Sequence, residues 1–235
     1  MTYDGGVISK TLLLPSRVSR RLLRDLARLR RHLIMKKLKG IIHVGANMGQ
    51  ERDYYTGYGL KVLRIEPIPW VFEKLKSAIS SSPNQQALEY LVLDQDGETK
   101  TLHVSNNDGA SSSVMDLALH QDVWPSVHFT RNIEIQSHKL DTIIDREHIN
   151  LADYDGLVLD TQGSELLVLK GAQRALRNAR MVMVEVADFE AYTECPRPEQ
   201  IADFLGTYGL RERMRPPFAR HSRGGRYYDI IYLRN

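Results

Sequence analysis

The chain has 235 residues, 42% hydrophobic and 26% charged, with a formal net charge of +3, the proportions of a globular protein with one sizeable core. It carries no run of about 18 apolar residues, so no membrane-spanning helix is expected. A single cysteine, Cys195, excludes an intrachain disulfide and a multi-cysteine zinc site. With no secretory signal pattern over residues 1–14, this fits a reducing cytoplasm.

The charge is unevenly placed. Residues 10–39 hold eleven basic side chains and one acid, Asp25, for +10; the rest of the chain therefore carries −7. Residues 1–39 read as a basic helical appendage: Leu22, Leu26, Leu29 and Leu33 recur at helical spacing, flanked by arginines. Such a helix suits packing against the main domain, or docking on an anionic membrane surface or a glycosyltransferase complex. It lacks the interleaved aromatic residues of a nucleic-acid surface.

From residue 40 to 235 the pattern is that of one α/β domain. Ile41–Val44 is a predicted strand, Met48–Tyr58 a helix, Val62–Ile65 a strand, Val71–Ile79 a helix and Leu88–Leu93 a third strand. This βαβαβ order predicts a doubly wound, mostly parallel sheet with its ligand crevice at the strand carboxyl ends. Residues 94–150 interrupt it. Asp96–Gly97 reads as a hairpin turn into Thr99–Val104, followed by the polar loop Ser105–Ser113 and a strand at Ile133–Gln136. This insertion is a natural substrate-recognition element, with Asn107, Ser111, Ser112 and His138 as candidate contacts to hydroxyl groups. The alternation then resumes: strand Leu157–Leu159, helix Ser164–Arg177, strand Met181–Val186 and helix Pro198–Tyr208. Leu210–Met214 and Tyr227–Leu233 close the sheet as an antiparallel pair.

Three constellations carry chemistry. In the first, Ile41–Glu51 (IIHVGANMGQE), a strand meets a glycine turn. Gly45 permits a tight turn and close backbone approach, Gly49 keeps the following helical turn open, and free N–H groups there favour an anionic ligand group. His43, Gly45, Ala46, Asn47, Gly49 and Gln50 are the candidate cofactor contacts. In the second, Glu66 ends the second strand seventeen residues beyond Gly49 and precedes Pro67; a carboxylate there can accept hydrogen bonds from both hydroxyls of a ribose. A dinucleotide would need glycine at positions 47 and 50, where this chain has Asn47 and Gln50; S-adenosylmethionine, whose anionic group is one amino-acid carboxylate, does not. Asp94, after the third strand, is a candidate adenine contact. In the third, Asp160, Thr161 and Gln162 follow the fourth strand, and Glu185 ends the fifth. Asp160 is the candidate general base, Glu185 the second acid, and adjacent strand ends would allow the two to share Mg²⁺.

These runs, with Arg64–Lys76 (RIEPIPWVFEKLK), Tyr154–Ala172 (YDGLVLDTQGSELLVLKGA) and Met181–Tyr192 (MVMVEVADFEAY), resemble in order and spacing the FkbM family of methyltransferases from about residue 40 to 233. The resemblance implies a class I, Rossmann-like, seven-stranded sheet with an antiparallel last strand, S-adenosylmethionine as cofactor, and methyl transfer to a hydroxyl, often of a sugar or polyketide. The expected acceptor is a sugar of a glycan or glycolipid. The alternatives are a small polyketide-like metabolite, or a cofactor-binding scaffold without catalysis. One departure stands out. Many members have an acid where this chain has His43, and a histidine cannot repeat a carboxylate's contact with the cofactor's ammonium.

Overall fold

A computed structural model describes the backbone of residues 17–234 and side chains from residue 26 onward. The start read as signal-free, residues 1–14, and the side chain of Leu22 lie outside the described residues. The chain divides into two compact units, Met1–Lys37 and Leu38–Asn235. In the first, α1 (Arg17–Met35) is a 19-residue helix. Leu26, Leu29 and Leu33 fall on one face and are each more than half exposed. Among the described residues no helix is long and apolar enough to cross a membrane.

The second unit opens with β1 (Gly40–Val44), α2 (Arg52–Thr56), β2 (Lys61–Ile65), α3 (Pro69–Ile79), β3 (Gln85–Leu88) and β4 (Leu91–Val92). Next come β5 (Thr99–Ser105), α4 (His120–Val123), β6 (Phe129–His138), α5 (Leu140–Arg146) and a 3-10 turn at Leu151–Asp153. It closes with β7 (Gly156–Leu159), α6 (Glu165–Lys170), α7 (Gln173–Asn178), β8 (Met181–Ala187), α8 (Pro198–Gly206), β9 (Leu210–Met214), β10 (Pro217–Arg220) and β11 (Arg226–Arg234).

Eight strands form the main sheet in the order β10-β11-β8-β7-β1-β2-β3, with β9 also paired to β11. β3, β2, β1, β7 and β8 run parallel, and β11 lies antiparallel to β8. β1 and β7 are buried at every position, which is why they show no alternation of apolar and polar residues, His43 being the one polar side chain of the two: a parallel strand covered on both faces has no solvent side to alternate with. The chain leaves β1 for β2 and β3 on one side, then returns to β7 on the other. The strand order reverses there, opening a crevice above the carboxyl ends of β1, β2 and β7.

The structure corrects five details. The helix predicted over Met48–Tyr58 is only α2, because residues 45–51 make successive turns instead. The third predicted strand is two: β3 continues the main sheet, while β4 crosses into a small sheet of order β4-β6-β5. Asp96–Gly97 is therefore not a hairpin turn, since β6 lies between β4 and β5. The helix predicted over Ser164–Arg177 breaks into α6 and α7 at Gly171, where an added Cβ would sit 2.1 Å from the Leu93 carbonyl oxygen. β10 adds a strand to the seven expected.

The small sheet explains where the insertion sits. Leu102 and Val104 of β5, with Ile133 and Ile135 of β6, pack on Ile68 and Val71 at the start of α3. Burial of these side chains, ~1.5–3 kcal/mol each, anchors the insertion beside the β2 end of the crevice.

Candidate functional site

A crevice lies at this reversal, the place where open α/β sheets bind small ligands. Its floor is Val44–Asn47, Gln50 and Glu51. One side is Glu66–Ile68 and Tyr90–Val92, the other Asp160–Gln162 with Ser164, and residues of the 102–114 segment cover it. Of the sequence-expected residues, Gly45, Ala46, Asn47, Gln50, Glu66, Pro67, Ser112, Asp160, Thr161 and Gln162 line it. Carboxylates and neutral amides and hydroxyls supply the polar side chains among these lining residues.

The backbone at this crevice is unusual. Gly45 has φ +79° and touches the returning strand: a Cβ there would sit 1.9 Å from the Asp160 carbonyl oxygen. Asn47 (φ 42°), Asp108 (φ 56°) and Gln162 (φ 53°) are three of the five non-glycine residues with positive φ among those described. Left-handed conformations at such residues cost energy and cluster at functional sites.

Glu66 is buried at the end of β2, where Oε2 accepts from the Asn47 N–H and Oε1 from the Ile68 N–H, each at 3.0 Å. Burial raises its pKa to about 7 against the pull of these two backbone donors. The Glu66 carboxylate thus ties the β1 turn to the β2 end while lining the crevice.

Across the crevice, Gln162 connects two acids. Its Nε2 donates to Asp160 Oδ1 (2.6 Å) and Glu185 Oε1 (3.0 Å), and its Oε1 accepts from the Tyr192 hydroxyl (2.7 Å). The Tyr192 bond fixes which end of the amide faces the acids. Burial raises Asp160 to about 7, opposed by the Gln162 bond and reinforced by the charges of Glu165 and Glu51. Burial, then the neighbouring Asp160 charge, raises Glu185 well above the usual carboxylate range. Two buried acids this close cannot both ionise cheaply, so they retain a proton near neutrality.

A shared Mg²⁺ does not fit this arrangement. The Gln162 amide N–H₂ occupies the position between the two carboxylates where the cation would have to be. Among the described residues no group of three or more His, Cys, Asp or Glu side chains could hold a metal ion.

Glu165, the first residue of α6, bonds back to the turn that precedes it. Fully buried, its Oε1 accepts from the Thr161 N–H (3.0 Å), the Thr161 hydroxyl (3.2 Å) and the Gly163 N–H (3.1 Å). It shapes the turn that presents Asp160 and Gln162. Glu165→Ala is expected to lower unfolding free energy by at least about 2 kcal/mol, by stranding buried donors; an unchanged denaturant midpoint would contradict this role.

Several expected contacts lie elsewhere. His43 is buried beneath the β1 turn, and burial followed by the Arg64 charge lowers its pKa to about 3, leaving it neutral. Gly49 is also under the floor, where its Cβ would meet Leu75 Cδ1 at 2.8 Å. Asp94 is not among the lining residues; Tyr90, Leu91 and Val92 line that side, because the chain has already crossed to the small sheet. Asn107 and Ser111 are consumed within their loop. Asn107 Oδ1 accepts from the Ser105 hydroxyl and the Ser111 N–H, and its Nδ2 donates to Ser111 Oγ. Ser112 Oγ accepts from the Ser105 N–H. These polar groups build the loop that roofs the crevice, pinned by Asn47 Nδ2 donating to the Asp108 carbonyl and the Ser113 hydroxyl donating to the Gln162 carbonyl. His138 stacks edge-on against Tyr90 and accepts from Arg146 at Nε2 (3.0 Å), outside the lining. Glu185 lies behind Gln162, in a smaller cavity with Tyr192 and Tyr227.

Sequence reasoning missed Glu51, Tyr90, Ser113 and Tyr192. It also passed over His120, the buried histidine of the insertion, which hydrogen-bonds Tyr227 (2.6 Å) and Ser111 (3.1 Å). Glu51, Ser113 and Tyr192 end runs singled out in the sequence, at 41–51, 105–113 and 181–192, but nothing in those runs marks the end residue as a contact.

Fold and crevice together define a class I methyltransferase. The family model of the methyltransferase FkbM domain matches residues 43–214, and the chain belongs to that family. Among solved structures, Aeropyrum pernix fibrillarin in complex with S-adenosyl-L-methionine is similar with a TM-score of 0.50 and 13% identity, over 89% of this chain and 74% of that one. Magnesium protoporphyrin IX methyltransferase from Synechocystis PCC 6803 with bound SAM superimposes at 0.48 and 10%, over 99% and 87%. At such identity the likeness to fibrillarin is one of fold. No curated protein matches this chain in sequence.

Proposed function

We propose that this protein transfers a methyl group from S-adenosylmethionine to a hydroxyl of a neutral, hydroxyl-rich acceptor, a sugar of a glycan or glycolipid. The observation that carries the reading is the pairing of two differently used carboxylates across one crevice, Glu66 and Asp160. The crevice fits the cofactor in three respects. Gly45 allows the backbone approach, Glu66 offers a fixed acceptor to a ribose, and Tyr90, Leu91 and Val92 form an apolar side suited to an adenine.

Bound S-adenosylmethionine would supply an electrophilic methyl carbon on a positively charged sulfur. Glu66 would hold the two ribose hydroxyls with its remaining lone pairs. Asp160 would accept the proton of the acceptor hydroxyl as that oxygen bonds the methyl carbon. Gln162 keeps Asp160 oriented, and the 105–114 roof limits water.

Calorimetric titration with S-adenosylhomocysteine, followed by mass spectrometry of a panel of sugars incubated with S-adenosylmethionine, tests the proposal. Measurable affinity and a one-methyl mass gain on a sugar are expected. No affinity for either nucleoside refutes the cofactor, while binding without transfer to any acceptor would favour a scaffold role.

A further inference from the structure

Among the described residues six large apolar side chains are exposed, and three of them share one helix. Leu26, Leu29 and Leu33, at 53%, 54% and 51%, are also the most exposed of the six. Spaced by three and four residues, they form a single stripe along α1. Exposed leucines scattered singly need no explanation, but a row on one helix face is the pattern of an interaction surface.

The charge beside the stripe says what it meets. From Leu26 to Lys37 the chain carries Arg28, Arg30, Arg31, Lys36 and Lys37 and no acid. Arg28, Arg30, Lys36 and Lys37 are exposed. Arg30, four residues after Leu26 and three before Leu33, is the helix cation nearest the stripe. A long side chain there lays its methylenes along the leucines and carries its charge outward. The basic excess is local: residues 10–39 hold +10 and the rest of the chain −7. An anionic surface therefore attracts this segment and repels the α/β domain. A second copy of the helix matches the leucine spacing, but sets +10 against +10. A nucleic acid would meet the arginines and leave the leucines in water. A bilayer with anionic headgroups satisfies both faces, with acyl chains for the leucines and negative charge for the cations.

We propose that α1 lies in the plane of an anionic lipid surface, with Leu26, Leu29 and Leu33 among the acyl chains and Arg30, Lys36 and Lys37 at the headgroups. The helix thereby holds the α/β domain at that surface. This goes beyond methyl transfer and needs neither the cofactor nor the acceptor assigned above. Both faces are required. Charge alone gives an adsorption that salt screens over about 10 Å, and leucines alone do not distinguish anionic from neutral lipid.

The test is co-sedimentation of the full chain with vesicles of phosphatidylcholine alone and of phosphatidylcholine and phosphatidylglycerol in equal parts. Wild type is expected to bind the anionic vesicles at least about 10-fold more tightly than the neutral ones. That preference should vanish at about 1 M salt, where the screening length falls to about 3 Å. The triple variant Leu26→Ala, Leu29→Ala, Leu33→Ala keeps the charge and uses the best helix former. It should bind anionic vesicles about 10-fold or more weakly than wild type. The triple variant Arg30→Gln, Lys36→Gln, Lys37→Gln keeps the leucines and should lose most of the preference for anionic lipid. All six side chains are exposed, so both variants should keep the wild-type thermal midpoint. Wild type that sediments with neither vesicle, or with both alike, overturns the proposal. So does a leucine variant that binds as tightly as wild type, which leaves adsorption by charge only. A dimer that the leucine variant dissolves while lipid binding is unchanged assigns the stripe to a second copy and also overturns it. Absent affinity of wild type for S-adenosylhomocysteine would refute the cofactor reading and leave lipid docking standing.

Discussion

Asp160→Asn is expected to lower turnover by about 10²–10⁴-fold, the usual worth of a general base, while cofactor affinity stays within a few-fold of wild type. The substitution preserves shape and an oxygen for the Gln162 amide, so the loop keeps its conformation and only the proton acceptor is lost. The pH dependence separates this from a packing defect. Burial places Asp160 at about 7, so the fraction able to take a proton grows as pH rises through that value. Wild-type turnover at saturating substrate should climb across the same window, and the Asn variant should lose that limb. Full turnover by Asp160→Asn would remove Asp160 from the chemistry and leave Glu185 as the acid to test.

The second large effect is on binding. Glu66→Ala should weaken S-adenosylhomocysteine by about 100-fold or more, since two hydrogen bonds to a charged acceptor are worth ~1.5–3 kcal/mol each. Glu66 also holds the Asn47 and Ile68 N–H groups, so part of the loss would come from a loosened turn. Glu66→Gln keeps a side chain of the same size and one acceptor oxygen, and should fall between. Because burial puts Glu66 at about 7, ligand affinity should strengthen as pH rises from 6 to 8 in wild type and not in Glu66→Gln. Unchanged affinity in the Ala variant, measured by calorimetry, would remove Glu66 from the ribose.

The strands were legible because a parallel strand buried on both faces is predominantly apolar, as Leu157–Leu159 is throughout and Ile41–Val44 is but for His43. Gly45, Glu66 and Asp160 were legible because each sits at a strand's carboxyl end, where the fold class fixes the crevice. The helices near the site were less so. Apolar periodicity ran through Gly171 and predicted one helix, yet the approach of the Leu93 backbone breaks it. Likewise Met48–Tyr58 has helical spacing, but Asn47 and Gly49 adopt positive φ, so the chain turns before α2 begins.

The amino-acid sequence by itself determined the doubly wound sheet, the position of its crevice and the acids at its rim, since burial patterns and turn residues are local. Only the tertiary structure decided what each polar group is free to do. Asn107 and Ser111 look available in sequence but are spent on their own loop. Glu51 ends the glycine-turn run in sequence, but its Oε2 lies 3.8 Å from Nη1 of the buried Arg64, a residue of a neighbouring strand. Gln162 comes between Asp160 and Glu185 because Tyr192, thirty residues on, turns its amide that way. Hydrogen-bond partners are chosen by proximity in space, and that proximity follows from strand order rather than from spacing along the chain.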